Sequence, residues 1–297
     1  KGLAKTLLLS SIQAMIVHQN VKFQCSLLHA SPALTEEYKR SANYQCVPSY
    51  WSVVHIHTSM PLGQSKGEGE KEDYEEGGTN SLMTSCGRKK SFNIRLASFP
   101  SDTVSLKRIH KAYSEDRFAG CIIRSEEYWN EYLSQEIGDS LFVFSVMVDK
   151  DNDRVENESE GGTIVGWISV RQRSDTRLQL RDFGICKKTC QELGINTSMV
   201  FPRLLRQVVQ GTTTLMTIDS TIELHLPTVV LNEMKEEGMN QENCSWIDWT
   251  RGIQEENDSG WMYKSLQNAC SDDEVVDMVK IVEEQNIPHL IWPADSF

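Results

Sequence analysis

The first residues of the chain include two small side chains, and an apolar helical stripe follows them. Gly2 and Ala4 lie two positions apart, and large apolar residues follow them at three- and four-residue steps. Small residues in the first turn of a helix let a ligand approach the backbone closely. The unpaired amides and the helix dipole at that end favour an anionic group such as a pyrophosphate. The pattern therefore predicts an anion-binding helix start over residues 1–5.

The hydrophobic pattern around this helix start predicts half of an α/β unit. A helix over 3–17 is followed by a strand over 21–28, a helix over 33–40 and a strand over 51–57. Helix, strand, helix, strand is an order typical of α/β architecture. The next stretch, 63–78, is almost wholly Gly, Glu, Lys, Ser and Asp, and such a composition cannot bury enough apolar surface to order itself.

A second pattern starts at Ser91 with a strand, two helices and three strands in a meander. The strands are predicted over 92–97, 141–148, 163–170 and 178–185, and the helices over 104–113 and 126–135. We therefore divide the chain into the C-terminal half of one domain over residues 1–58, an acidic disordered linker over 59–90, and a second domain over 91–297.

Composition excludes some classes of function. The 297 residues carry 30 basic and 42 acidic side chains, a net charge of −12, which argues against a nucleic-acid or anionic-membrane partner. The eight cysteines are spread out, and this favours free thiols in a reducing, cytoplasmic compartment over a disulfide scaffold or a zinc site. No apolar run reaches the length of about 20 residues that spans a bilayer.

The helix start resembles the acetyl-CoA loop of the GNAT superfamily of N-acetyltransferases. That loop is usually written Arg/Gln-x-x-Gly-x-Gly/Ala, and Gly2-x-Ala4 matches its last part. The Arg or Gln would precede residue 1, so the resemblance leads us to expect an N-terminally truncated domain. A GNAT domain joined to a second, degenerate GNAT-like domain is closest in layout to the fungal lysine N-acetyltransferase family.

A second family motif follows the predicted strand. The family has Asn-x-x-Ala-x-x-Leu-Tyr-x-x-x-Gly-Phe, and here Tyr38 falls on the tyrosine position. Ser31, Leu34 and Glu37 replace the Asn, Ala and Leu, and Asn43 stands for the Gly with one residue inserted before it. A phenol beside the sulfur of a thioester can donate a proton to the leaving thiolate. A tyrosine that only covers the edge of the sheet is the alternative interpretation of Tyr38.

The resemblance implies a fold, an activity and a site. The fold would be a GNAT-like mixed sheet flanked by helices, followed by a second GNAT-like α/β domain. The activity would be direct acetyl transfer from acetyl-CoA, without a metal, to a primary amine of a lysine or of a small cationic metabolite. Tyr38 would be the general acid, and the acetyl-CoA would be bound by Lys1, Gly2, Leu3, Ala4, Lys5 and Ser31. Cys186–Thr197 contains no Gly-x-Gly loop, so the second domain is not expected to bind coenzyme A.

Other interpretations stay open. A degenerate, acidic module that binds a basic partner without catalysis is the alternative function, and the general base and the oligomeric state are not assigned. His289 and the carboxylate of Phe297 are candidates for reaching the site. His110, on a helix face with apolar neighbours, is more typical of a packed histidine than of a base.

Overall fold

The structure is a computed structural model, and it describes residues 3–16, 25–57, 80–83, 89–147, 162–212, 221–238, 247–258, 260–266, 278–285 and 287–295. The helices are α1 Leu3–Ile16, α2 Pro32–Ala42, α3 Thr103–His110, α4 Ser134–Glu136, α5 Lys187–Glu192, α6 Val200–Thr212, α7 Thr228–Glu236 and α8 Met278–Glu283. The strands are β1 Cys25–His29, β2 Gln45–Cys46, β3 Tyr50–His57, β4 Asn80–Met83, β5 Lys89–Leu96, β6 Leu141–Val146, β7 Thr163–Ser174, β8 Arg177–Ile185, β9 Thr221–Pro227, β10 Gln254–Asn257 and β11 Trp261–Ser265.

These residues belong to two compact units, each built from separate stretches of the chain. Unit 1 contains Lys1–Trp51, Arg117–Cys121 and Glu256–Leu290, and unit 2 contains Ser52–Asp116, Ile122–Glu255 and Ile291–Phe297. The boundaries of these units differ from those of the predicted domains, 1–58 and 91–297. The division of the chain into those two domains stays a prediction. Within the predicted linker over 59–90, the structure describes β4, which pairs with β5, and the start of β5.

Unit 1 has a small antiparallel sheet in the order β1-β11-β2. Successive side chains of a strand point to opposite faces. Leu28 joins a cluster with residues of α1 and α2, whereas Cys25 and Leu27 pack against a second cluster that contains Val47 and Tyr263. Strand β1 therefore has apolar residues on both of its faces.

Unit 2 has an eight-stranded sheet in the order β10-β3-β9-β8-β7-β6-β5-β4. Strands β4 to β8 form an antiparallel meander, and β9 then pairs with β8 in parallel after the helices α5 and α6. The predicted α/β architecture, a mixed sheet flanked by helices, is confirmed. No helix in the described part of the chain is long and apolar enough to cross a bilayer.

The parallel pairing of β8 with β9 is short. Its register joins Arg177–Gln179 to Glu223–His225, while β8 continues to Ile185 and β9 to Pro227. The parallel ladder thus covers only the first part of β8.

Candidate functional site

Tyr38 lies on α2, where residues at three- and four-residue steps face the core of unit 1. Thr35 and Ala42 are buried, and Tyr38 between them is half-buried against the cluster that contains Ile12 and Met262. This spacing is the inner stripe of an amphipathic helix. Sequence reasoning therefore placed Tyr38 on a helix correctly, and its catalytic role stays a prediction.

The hydroxyl groups of two neighbouring tyrosines have different surroundings. The Tyr44 ring lies 6.1 Å from the Tyr38 ring, and the Tyr44 hydroxyl shares a 2.7 Å hydrogen bond with Ser26 Oγ inside the protein. Burial raises the pKa of Tyr44. The Tyr38 hydroxyl makes no hydrogen bond within the described ranges. Tyr38 is therefore the tyrosine of this pair that has a proton to offer to a ligand.

The two ends of α2 have local structural signals. Ser31 is the N-cap residue with extended backbone, Pro32 occupies the first helical turn, and the Ser31 hydroxyl makes no capping hydrogen bond. Asn43 ends the helix in the left-handed conformation, with φ of 56°. This is the conformation that glycine adopts most readily at a helix end. Asn43 thus has a backbone conformation that a glycine at this position would adopt without strain.

The predicted anion-binding helix start is described only in part. Leu3, Ala4 and Lys5 form the first turn of α1, and their side chains lie outside the description. Lys1 and Gly2 also lie outside the described residues. Their contact with acetyl-CoA stays a prediction.

A histidine and an aspartate far apart in the sequence meet at the end of β1. His29 Nε2 lies 2.9 Å and 3.2 Å from the two carboxylate oxygens of Asp258. The amide of Gly260 donates a 3.1 Å hydrogen bond to the same carboxylate. Sequence analysis missed this pair, because the two residues are 229 positions apart and neither belongs to a local motif.

His289 is buried beside this pair, with 6% of its surface exposed. The Trp261 ring lies 6.0 Å from the His289 ring and 4.9 Å from the His29 ring. Neither nitrogen of His289 has a hydrogen-bond partner in the part of the chain that the structure describes. Burial lowers the pKa of His289 to about 4, although the nearby Asp258 carboxylate acts in the opposite direction. His289 is therefore neutral at physiological pH. Phe297, the other sequence candidate, lies outside the described residues.

Unit 2 has a groove between β8, α6 and α7. It holds about 360 Å³ of space, part of it open to solvent, and its lining includes Phe183, Phe201 and Met234. The Tyr113 hydroxyl donates a 2.9 Å hydrogen bond to Glu233, and the Lys187 ammonium lies 2.5 Å from Glu233 and 2.6 Å from Glu237. Two polar residues of the groove lining, Tyr113 and Glu233, are thus bonded to each other.

The chain after β8 turns directly into a helix. Cys186 is the N-cap residue of α5, and its Sγ lies 3.0 Å from the Thr189 hydroxyl. A short helix thus occupies the segment in which the sequence contains no glycine-rich loop. In the described residues, no cluster of three His, Cys, Asp or Glu side chains is placed to hold a metal ion.

A buried charge network supports unit 2. The Arg124 guanidinium donates to Asp182 at 2.6 Å and to both oxygens of Asp295 at 2.9 Å and 2.8 Å, and the side chains of all three are fully buried.

His110 is also fully buried. Its Nε2 lies 3.0 Å from the Ile122 carbonyl oxygen, and its ring packs against that of Trp129. The expectation that His110 is a packed histidine is confirmed.

Comparison with known proteins gives distant structural likenesses. No family model matches the chain, and no curated protein sequence matches it. A GCN5-related N-acetyltransferase from Sphaerobacter thermophilus is 13% identical at a TM-score of 0.40, over 90% of this chain and 69% of that one. A tandem GNAT protein from the clavulanic acid biosynthesis pathway is 8% identical at a TM-score of 0.42, over 91% and 71%. Ard1 from Thermoplasma volcanium is 14% identical at a TM-score of 0.29, over 60% and 99%.

Proposed function

We propose that the chain is an acetyl-CoA-dependent N-acetyltransferase that transfers the acetyl group directly to a primary amine of a lysine or of a small cationic metabolite. The amides at the start of α1 and the Ser31 hydroxyl bind the coenzyme, and Tyr38 protonates the leaving thiolate. This assigns the chemistry to unit 1. The layout of the fungal lysine N-acetyltransferases is part of the proposal, which needs no metal.

One observation carries the proposal. Of the two neighbouring tyrosines in unit 1, the one at the family position has a hydroxyl without a hydrogen bond to any described residue, whereas the Tyr44 hydroxyl is bound to Ser26. Tyr38 is also half-buried, so its proton is partly shielded from water. A positioned acid of this kind contributes about 10²–10⁴-fold to a rate.

The test compares Tyr38→Phe with Tyr44→Phe in the full chain. Release of free coenzyme A from acetyl-CoA is followed with a lysine acceptor, and acetyl-CoA binding is measured by calorimetry. We expect Tyr38→Phe to lower kcat by about 100-fold or more with an unchanged Kd, because only the acid is removed. Tyr44→Phe is the matched control. It should keep the rate and lower the free energy of unfolding by about 1 kcal/mol, the contribution of one hydrogen bond.

Equal rates for Tyr38→Phe and the unchanged chain would refute the role of Tyr38.

A second candidate function is a non-catalytic module that binds a basic partner. It is favoured by the net charge of −12. The absence of a heat signal with acetyl-CoA, together with binding of a basic peptide, would support this function instead.

A further inference from the structure

One face of the β7–β8 hairpin in unit 2 carries three arginines. Arg171 is directly opposite Gln179 in the ladder, and Arg173 Nε donates a 2.7 Å hydrogen bond to the side-chain oxygen of Gln179. The guanidinium groups of Arg171 and Arg181 both contact the carboxylate of Glu136, at the end of α4. Directly opposite residues of a ladder point to the same face of the sheet. The shared partners therefore place all three arginine side chains on one face of the hairpin.

Two β-bulges direct these side chains. The register of the β7–β8 ladder shifts once after Ser169 and once after Gln172, and the residues left unpaired by the two shifts are Arg181 and Arg173. A bulge inserts one residue into one strand and changes the direction of its side chain, and bulges are over-represented next to functional sites. Both of these extra residues are arginines.

Arg181 is more deeply buried than an ordinary surface cation, with 5% of its surface exposed. One of its terminal nitrogens donates a 2.8 Å hydrogen bond to the carbonyl oxygen of Glu136, and the other contacts the carboxylate of the same residue. Its Nε has no hydrogen-bond partner within the described ranges. A guanidinium stays charged in a protein, and a buried charge is costly unless an anion pairs with it. Arg181 therefore adds a fixed positive charge and an unused donor to this face.

The contacts of this face leave positive charge in excess. Arg171 reaches the oxygen Oε1 of Glu136 at 3.2 Å, the same oxygen that Arg181 contacts. Arg173 is bonded to the uncharged amide of Gln179. Three guanidinium groups thus face one carboxylate, an excess of two positive charges in a chain whose net charge is −12. Burial and the charges of Arg181 and Arg173 lower the pKa of Arg171, although Glu136 acts in the opposite direction.

We propose that Arg171, Arg173 and Arg181 form a binding site for the phosphate group of a phosphomonoester. Such a group carries about 1.5–2 negative charges at pH 7, which matches the excess of positive charge on this face. Guanidinium groups bind phosphate oxygens through paired, charge-assisted hydrogen bonds. The Glu136 carboxylate, held through one oxygen by two arginines, has the place of a phosphate oxygen and competes with the ligand. None of these residues takes part in the proposed acetyl transfer, so the site does not depend on the proposed function.

The test measures binding of inorganic phosphate and of glycerol phosphate to the full chain by phosphorus NMR titration, with chloride added to keep the ionic strength constant. We expect Arg171→Ala to weaken binding by about 10-fold or more, because a charge-assisted hydrogen bond is lost. Arg171→Lys should also weaken it, because lysine keeps the charge but not the planar fork. Arg177→Ala is the matched control and should leave the affinity unchanged, since Arg177, on the same hairpin, is paired with Glu223 at 2.6 Å.

Glu136→Gln gives an effect of the opposite sign. Removal of the competing carboxylate should tighten phosphate binding by about two- to fivefold, the range of a partly exposed ion pair. An ion pair that only stabilises the fold would give a lower melting temperature and no gain in phosphate affinity. Unchanged or weaker binding by Glu136→Gln would therefore contradict the proposed competition, and with it the site.

A phosphoserine peptide, titrated beside glycerol phosphate, separates the two sources of a phosphomonoester. Tighter binding of the peptide would identify a phosphorylated protein as the ligand, and equal or weaker binding would identify a free metabolite. Arg173→Ala replaces Arg171→Ala if circular dichroism shows that the latter is unfolded, since the Arg173 side chain is exposed.

Three results would overturn the proposal. They are no phosphate binding by the unchanged chain, equal losses in Arg171→Ala and Arg177→Ala, and binding of succinate as tight as that of phosphate. Each of them would leave the test of acetyl transfer with Tyr38→Phe unaffected.

Discussion

At the scale of single residues, His289 makes the stability of unit 1 depend on pH. Its pKa in the folded chain is about 4, below the value of about 6.5 of an exposed histidine. The unfolded chain therefore binds the proton first as the pH falls. The stability that the neutral ring contributes is fully present above about pH 6.5 and is lost progressively between about pH 6.5 and 4.

We expect His289→Leu to flatten this part of the stability curve. The difference in free energy of unfolding between pH 7 and pH 4 should shrink by up to about 3 kcal/mol, the equivalent of 2.5 pKa units. Leucine breaks no hydrogen bond to the described residues, because the ring nitrogens of His289 have none there. Urea unfolding at a series of pH values measures this, with His57→Leu as the control. An identical pH dependence in His289→Leu would contradict the prediction.

At the scale of elements, α2 shows how much local sequence predicts. The apolar spacing and the proline after Ser31 placed a helix over 33–40, and the structure has it over Pro32–Ala42. The C-terminal end of α2 depends on Asn43, which has the left-handed backbone conformation. The Asn43 amide donates to the Lys39 carbonyl oxygen at 3.1 Å. This hydrogen bond closes the last turn of α2, which follows Tyr38.

Asn43 allows a prediction with a matched pair of variants. Residues with a Cβ other than Asn and Asp adopt the left-handed region at a cost of about 1–2 kcal/mol, whereas glycine adopts it without this cost. Asn43→Ala should therefore lower the free energy of unfolding by about 1 kcal/mol, and Asn43→Gly should leave it equal or higher. Denaturant unfolding of both variants measures the difference. Equal stabilities of the two would show that the left-handed conformation is not what ends α2.

At the scale of the whole molecule, the strand over Ser52–His57 belongs to the sheet of unit 2, although it precedes the predicted linker. It lies between β9 and β10 and buries Val53, Val54 and Ile56. Each such side chain contributes about 1.5–3 kcal/mol on burial. The sum is comparable with the whole stability of a typical domain, about 5–15 kcal/mol.

A fragment over residues 80–297 should therefore fail to unfold as one cooperative transition, or should melt at least about 10 °C lower than the full chain. Deletion of the predicted linker residues 63–78 from the full chain is the control, and it should keep the melting temperature. Scanning calorimetry of both proteins measures this. A fragment as stable as the full chain would show that β3 is dispensable for unit 2.

The sequence by itself determined what depends on neighbours along the chain. Periodicity placed α1, α2 and the strands of the meander, because side-chain direction repeats with the local backbone geometry. It also placed Tyr38 on a helix. The resemblance to the acetyltransferase motif came from residues 2–43, which are close together in the sequence.

Only the tertiary structure decided which distant residues meet. Asp258 reaches His29 across 229 positions, and Asp295 reaches Arg124 across 171. The strand at Ser52–His57 lies in the sheet of the later residues. Such contacts leave no periodic signal, because strand pairing and ion pairing depend on how segments pack in three dimensions. The sequence therefore predicted the acid of the proposed reaction, whereas only the fold brought His29 and Asp258 together.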